Sequence, residues 1–372
     1  MAEIKQKKKS KRGMKILGII LAVLVGLAVV SAVFITVATL PVDENSEKVI
    51  YVGSMVKSDK VDFKSESAKG LERNAVVKIM QMVWRFCDAG DKKKHASQTP
   101  PENVTQISDI PYMDDGNHYH MLDVFYPSDM GQFEKLPVII DIHGGGWMYA
   151  DKDLNDYYCM ALADRGYVVF NISYRLVPDV TVNEQIQDCA EALKWIKENI
   201  NNYPCDASNI TLTGDSAGGQ LALYSTIIAQ SPELQEIFGT VNPDINIDKL
   251  LLTSPVSYMK GGGAFSVYTK IMWGRDYKDK ATYNYMDLDE IIDYADSMPP
   301  SYFITSSGDS LANAQTHKAY ELLSEKGYKT EIADYDKQAY NQNLPHVFSV
   351  LFPFDEAGSD AIDSALEFLK EN

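Results

Sequence analysis

A serine between glycines, Gly214-Asp215-Ser216-Ala217-Gly218, follows the β-branched run 209–213 and precedes a helix-forming stretch from Gln220. Between a strand and a helix, G-x-S-x-G predicts a turn so tight that the serine hydroxyl is pushed out above the sheet, placed to act as a nucleophile. A hydroxyl is a poor nucleophile at its own pKa, so it needs a neighbouring base and donors for the oxyanion it creates. Donors are offered upstream, where the apolar run Leu136–Ile142 leads straight into His143-Gly144-Gly145-Gly146-Trp147. Consecutive glycines expose backbone N–H groups with no side chain in the way, and the N–H after the nucleophile, that of Ala217, completes such a set. The chemistry these residue types support is acyl transfer.

A base and an acid that orients it should follow the serine in the chain. Of six histidines, only His317 and His346 lie beyond Ser216. His317 falls in the amphipathic stretch 313–324 and reads as a helix-surface residue, whereas His346 lies in the loop Asn343-Leu-Pro-His346-Val-Phe. Asp309 follows the apolar run Ser301–Ser306 at a Ser307-Gly308 turn, so it should project from the carboxyl end of a strand. Loop aspartates are ordinarily solvated turn formers, and Asp334 and Asp336, after the next strand, are its rivals. Ser216, His346 and Asp309 are the expected nucleophile, base and orienting acid.

The elements that must hold these groups alternate between apolar strand runs and helical patterns. That alternation predicts an α/β domain with a mainly parallel central sheet and helices on both faces. Helices are expected at 183–200 and over 71–86, the latter as part of a cap spanning about 71–100. A second cap element is expected at 258–298, where Tyr268, Met272, Trp273, Tyr283 and Tyr285 either line a substrate pocket or pack a helical insertion.

These motifs together resemble the hormone-sensitive-lipase family of α/β-hydrolases, over roughly residues 104 to 372. Besides HGGGW and GDSAGG, Tyr174-Arg175-Leu-Val-Pro178-Asp179 is similar to the family's YRLAPE segment, and Gln187 to Trp195 is similar to the helix before its nucleophile strand. The resemblance implies an α/β-hydrolase fold with a helical cap, Ser216 as nucleophile, Asp309 and His346 as its partners, and the amides of Gly145, Gly146 and Ala217 as oxyanion donors. It also implies activity on carboxylic esters. Three departures stand out. Ser310 replaces the usual proline after the acid, Val347 replaces the usual glycine after the histidine, and 337–343 reads as an insertion.

Residues 16–40 form a run of 25 residues without a charge, preceded by seven basic residues and one acid. At about 1.5 Å per residue such a run spans a bilayer core of about 30 Å. It exceeds the roughly 7–15 apolar residues of a cleaved signal peptide. The expected organisation is a basic cytoplasmic tail (1–15), a transmembrane anchor (16–40), a polar stalk (41–70) and a hydrolase domain (71–372) outside the cytosol. Of the net charge of −17, the first 40 residues carry +6 and the remainder −23. So acidic a body excludes nucleic acid as a partner and favours neutral small-molecule esters. The sequence has no P-loop, no G-x-G-x-x-G after a strand and no H-E-x-x-H. The four widely spaced cysteines make no metal-ligand pattern, so no cofactor or metal is expected. The leading reading is an anchored carboxylesterase for short- to medium-chain esters. Its alternatives are a deacetylase of acetylated carbohydrate or envelope polymer and a non-catalytic ligand-binding member of the fold.

Overall fold

The computed structural model describes residues 26–43, 46, 51–57, 64–129, 135–260 and 264–372. Eight segments of the described residues pair into one sheet: β1 (Val104–Pro111), β2 (Met121–Pro127), β3 (Leu136–Ile142), β4 (Val168–Ile172), β5 (Cys205–Asp215), β6 (Lys249–Thr253), β7 (Ser301–Ser306) and β8 (Thr330–Tyr335). Their spatial order is β1-β2-β4-β3-β5-β6-β7-β8. The β1–β2 and β2–β4 pairs are antiparallel and every other pair is parallel. The central strands read as unbroken apolar runs because both their faces are covered. In β3, Val138, Ile140 and Ile142 join one core and Ile139 joins the other, as the two-residue period of a strand requires.

Helices supply the two covers: α1 (Ala75–His95), α2 (Asp156–Asp164), α3 (Val182–Asn199), α4 (Ala217–Gln230), α5 (Ala264–Met272), α6 (Asn313–Glu325) and α7 (Glu356–Glu371). Ile186, Leu193 and Ile196 of α3 pack with Leu221 and Leu223 of α4 on one face. Tyr158 and Leu162 of α2 pack with Ile362 and Leu366 of α7 on the other. The four cysteines are free thiols, and Cys189 is buried on α3.

The cap helix differs from expectation at both ends. It begins at Ala75 because the Asn74 side chain accepts the Val76 N–H at 2.8 Å, which makes Asn74 the N-cap. It continues to His95 through the polar run from Asp88, because Asp88 and Asp91 are buried and paired with Lys92 and Lys94. The stretch expected as a stalk is also partly domain. Val52 and Met55 are fully buried, Val52 bridges to Tyr149, and the Gln81 side chain donates to the Gly53 carbonyl at 2.6 Å. Apolar side chains scattered through a charged segment are sufficient for this docking, and averaged polarity conceals them.

Of the expected membrane anchor, residues 16–25 lie outside the described residues, as does the basic tail. Residues 26–38 are helical, with Leu27, Val30, Val33, Phe34 and Val37 all exposed. Among the described residues no helix is long and apolar enough to cross a membrane.

Candidate active site

The turn from β5 into α4 places Ser216 in a conformation few side chains adopt, φ 53° and ψ −116°. Close approach explains the glycine two residues later: a Cβ on Gly218 would lie 1.9 Å from the Ile142 carbonyl. The Ser216 N–H donates to Thr253 O on the neighbouring β6 at 2.9 Å, fixing the turn above the strand ends. His346 Nε2 lies 2.8 Å from Ser216 Oγ, and His346 Nδ1 lies 2.9 Å from Asp309 Oδ2. The other oxygen of Asp309 accepts the N–H groups of Leu311 and Ala312, each at 2.9 Å. Burial pushes the Asp309 carboxyl up, but the His346 ring, the Ala312 N–H and the Ser254 hydroxyl outweigh it and hold the group below the usual carboxylate range. The three expected residues, from the ends of β5, β7 and β8, thus meet in one hydrogen-bonded line.

The rivals pair with each other. His317 Nε2 lies 2.8 Å from Asp334 Oδ2 on the outer surface of α6 and β8, and both groups are more than a third exposed. Asp336 caps its own turn by accepting the Gln338 N–H.

The glycine loop lies between β3 and the cap. Gly145 and Gly146 have φ of +105° and +56°, and a Cβ on Gly146 would sit 2.3 Å from the Trp84 ring. Trp84 Nε1 donates to Tyr268 Oη at 3.0 Å, and Tyr268 Oη donates in turn to the Gly146 carbonyl. With its carbonyl held by Tyr268, the Gly146–Trp147 peptide plane is fixed. His143 at the head of the loop is buried, stacked on Tyr174 at 4.3 Å, and burial pulls its pKa down to about 4. It is therefore neutral at physiological pH and belongs to the scaffold.

A cavity of about 320 Å³ opens over Ser216. Its walls come from Trp84, Cys87 and Gly90 of α1, from the glycine loop, and from Val256, Leu311, Val347 and Val350. The second cap element differs from the pocket-lining alternative. Tyr268, Met272 and Trp273 are buried in the core, outside the cavity wall, and the Tyr268 hydroxyl reaches the glycine loop. Trp84 is the site residue that motif reading missed, and that reading offers Tyr268 only as a pocket-lining or packing residue, not as a partner of the glycine loop. The only signal was an aromatic in each cap element, and nothing in a sequence says that residues 184 positions apart share a hydrogen bond.

The family model described as BD-FAE matches residues 122–260, which hold the glycine loop and the elbow. The chain is 33% identical to esterase LipQ of Mycobacterium tuberculosis over 154 residues, 41% of this chain and 34% of LipQ. It is 25% identical to the probable carboxylic ester hydrolase LipM of the same organism over 261 residues, 69% of this chain and 57% of LipM. The matched segments thus span about a third to somewhat over half of these curated relatives. The crystal structure of esterase B from Lactobacillus rhamnosis superposes with a TM-score of 0.75 at 28% identity, covering 80% of this chain and 95% of that one. The chain is thus similar to carboxylesterases of the α/β-hydrolase fold, in keeping with the hormone-sensitive-lipase-like resemblance of its motifs.

In the hormone-sensitive-lipase-like pattern that these motifs resemble, glycine usually follows the histidine, and the backbone here fits that preference. Val347 has φ 53° and ψ 37°, the left-handed region that a β-branched side chain rarely enters. The valine is 8% exposed and forms part of the cavity wall, so this chain trades backbone ease for apolar surface beside Ser216. The expected insertion is a closed turn in which the Gln342 N–H donates to Lys337 O, and beyond it Leu344 O accepts the Ser306 hydroxyl at 2.7 Å. That bond brings the histidine loop down onto the end of β7.

Proposed function

We propose that this protein hydrolyses carboxylic esters through a Ser216–His346–Asp309 triad and an acyl-enzyme intermediate. The observation carrying the proposal is the unbroken line from Ser216 Oγ through both ring nitrogens of His346 to a buried carboxylate. His346 takes the hydroxyl proton as Ser216 attacks the ester carbonyl, then returns it to the leaving alcohol. Asp309 holds the ring in the tautomer that presents a bare Nε2 and stabilises the imidazolium as it forms. The amides of Gly145, Gly146 and Ala217 receive the oxyanion, and Ala217 adds the positive end of α4. Water activated by the same histidine then releases the acid. No step requires a metal or cofactor.

The size and apolar lining of the cavity support short- to medium-chain neutral esters. A p-nitrophenyl ester series from acetate to palmitate, given to the full chain in detergent beside its Ser216→Ala variant, tests the reading. Serine-dependent turnover peaking among the shorter acyl chains is expected; a peak at palmitate overturns the chain-length assignment, and no serine-dependent turnover overturns the reaction.

The same reading places the domain outside the cytosol, tethered through residues 16–40. Its support is the uncharged run, the basic tail before it and the exposed apolar side chains of helix 26–38. Protease added to intact cells should therefore degrade the region after residue 41, and full protection that ends on lysis would reverse the topology.

A further inference from the structure

The oxyanion donors come from two segments that meet only through the sheet. β3 and β5 pair in parallel as far as Ile142 with Gly214, after which one chain becomes the glycine loop and the other the elbow. Beyond that last rung, side chains take over. Asp215 Oδ1, beside the nucleophile, accepts the Gly144 N–H at 2.9 Å and the Asn155 side-chain amide at 2.9 Å. The same Asn155 nitrogen donates to Asp141 Oδ2 on β3 at 2.8 Å. All three side chains are almost wholly buried: Asp141 is 1% exposed, Asn155 0% and Asp215 3%.

We propose that Asn155 is a positioning residue that locks the glycine loop to the nucleophile elbow, so that both halves of the oxyanion hole keep one fixed separation. The inference rests on the triad reading of the same site. Two carboxyls around one amide are an expensive way to fill a core, since buried charge costs several kcal/mol before compensation and apolar side chains would pack there more cheaply. What an apolar pair cannot do is orient a peptide plane. The Asp215 carboxylate holds the Gly144 amide in place, and Gly145, the next residue, carries the first of the proposed donors. Asn155 aims that carboxylate by holding the same oxygen from the opposite segment.

The two carboxyls of the network are perturbed unequally. Burial and the neighbouring Asp215 push the Asp141 carboxyl well above its ordinary range. Asp215 is also raised by burial, but the Asn155 amide, the His346 ring and the Gly144 N–H work against the rise. Asn155 therefore bridges two carboxyls that burial raises, and leucine in its place removes both donations while keeping similar bulk.

The test compares steady-state hydrolysis of p-nitrophenyl acetate by the full chain and by Asn155→Leu, with active sites counted by stoichiometric labelling of Ser216 with a fluorophosphonate. Donors that matter only once the carbonyl oxygen is charged affect kcat and leave KM alone. The expected result is a kcat lower by about 10- to 100-fold per labelled site, with KM within about twofold. A purely structural role would lower the melting temperature or the number of labelled sites but leave kcat per site unchanged, and that result overturns the inference. A raised KM with normal kcat makes Asn155 a substrate contact and overturns it equally. If the leucine variant does not fold, Asn155→Ala leaves room for water at both carboxyls and carries the same expectation. Native protein without Ser216-dependent turnover removes the triad reading and this inference together, whereas native turnover with unaltered Asn155 variants removes this inference alone.

Discussion

Ser216→Ala is expected to lower kcat by about 10⁴- to 10⁶-fold while leaving the fold intact, because a serine triad works as a unit and loses nearly everything with its nucleophile. That is about 5–8 kcal/mol of transition-state stabilisation, at about 1.4 kcal/mol per tenfold. The residue left behind faces no new steric problem: alanine is no bulkier than serine at φ 53°, and the elbow keeps its backbone bonds to Thr253 and Val256. The measurement is turnover of a short p-nitrophenyl ester beside a thermal melt of both proteins. A variant that melts normally and retains a tenth of native kcat would remove Ser216 from the nucleophile's role.

The second large effect separates the two histidine–aspartate pairs. Asp309→Asn should cost about 10³- to 10⁴-fold in kcat, because an amide donates to Nδ1 where a carboxylate accepts, and this selects the tautomer whose Nε2 already carries a proton. His346→Ala should cost at least as much. Asp334→Asn and His317→Ala should stay within about twofold of native, since that surface pair is solvent-screened and makes no described contact with Ser216. Four single variants assayed on one ester decide the matter. Comparable losses at the surface pair, with Asp309→Asn near native, would exchange the assignments.

Much of the sheet and the line of three site residues were legible because each rested on a short-range signal. The strands at 136–142 and 301–306 are continuous apolar runs ended by glycine or polar turns, and β3 and β7 keep those limits. His317 was separable from His346 because helical periodicity surrounds one and a proline loop the other, and α6 spans Asn313–Glu325. The illegible parts depend on partners far along the chain. The burial of Val52 needs Tyr149, Trp84 needs Tyr268, and Asn155 needs two aspartates that read singly as a strand residue and an elbow residue. Local pattern carries no information about such pairs, since their energies arise only when the layers close.

The order in which the strands lie side by side also constrains how the protein comes into being. β3 and β5 are neighbours in the sheet, yet β4 and α3 are made between them, and the histidine and its acid follow later still. Closing the loops that join such distant partners costs entropy before any contact repays it, which makes non-local parallel pairings slow steps. A nascent chain ending before β5 carries the glycine loop without the elbow that faces it, and one ending before residue 346 carries the serine without its histidine. On the proposed triad, catalytic competence therefore belongs to the completed sheet alone, and the half-paired stages before it lack an assembled centre.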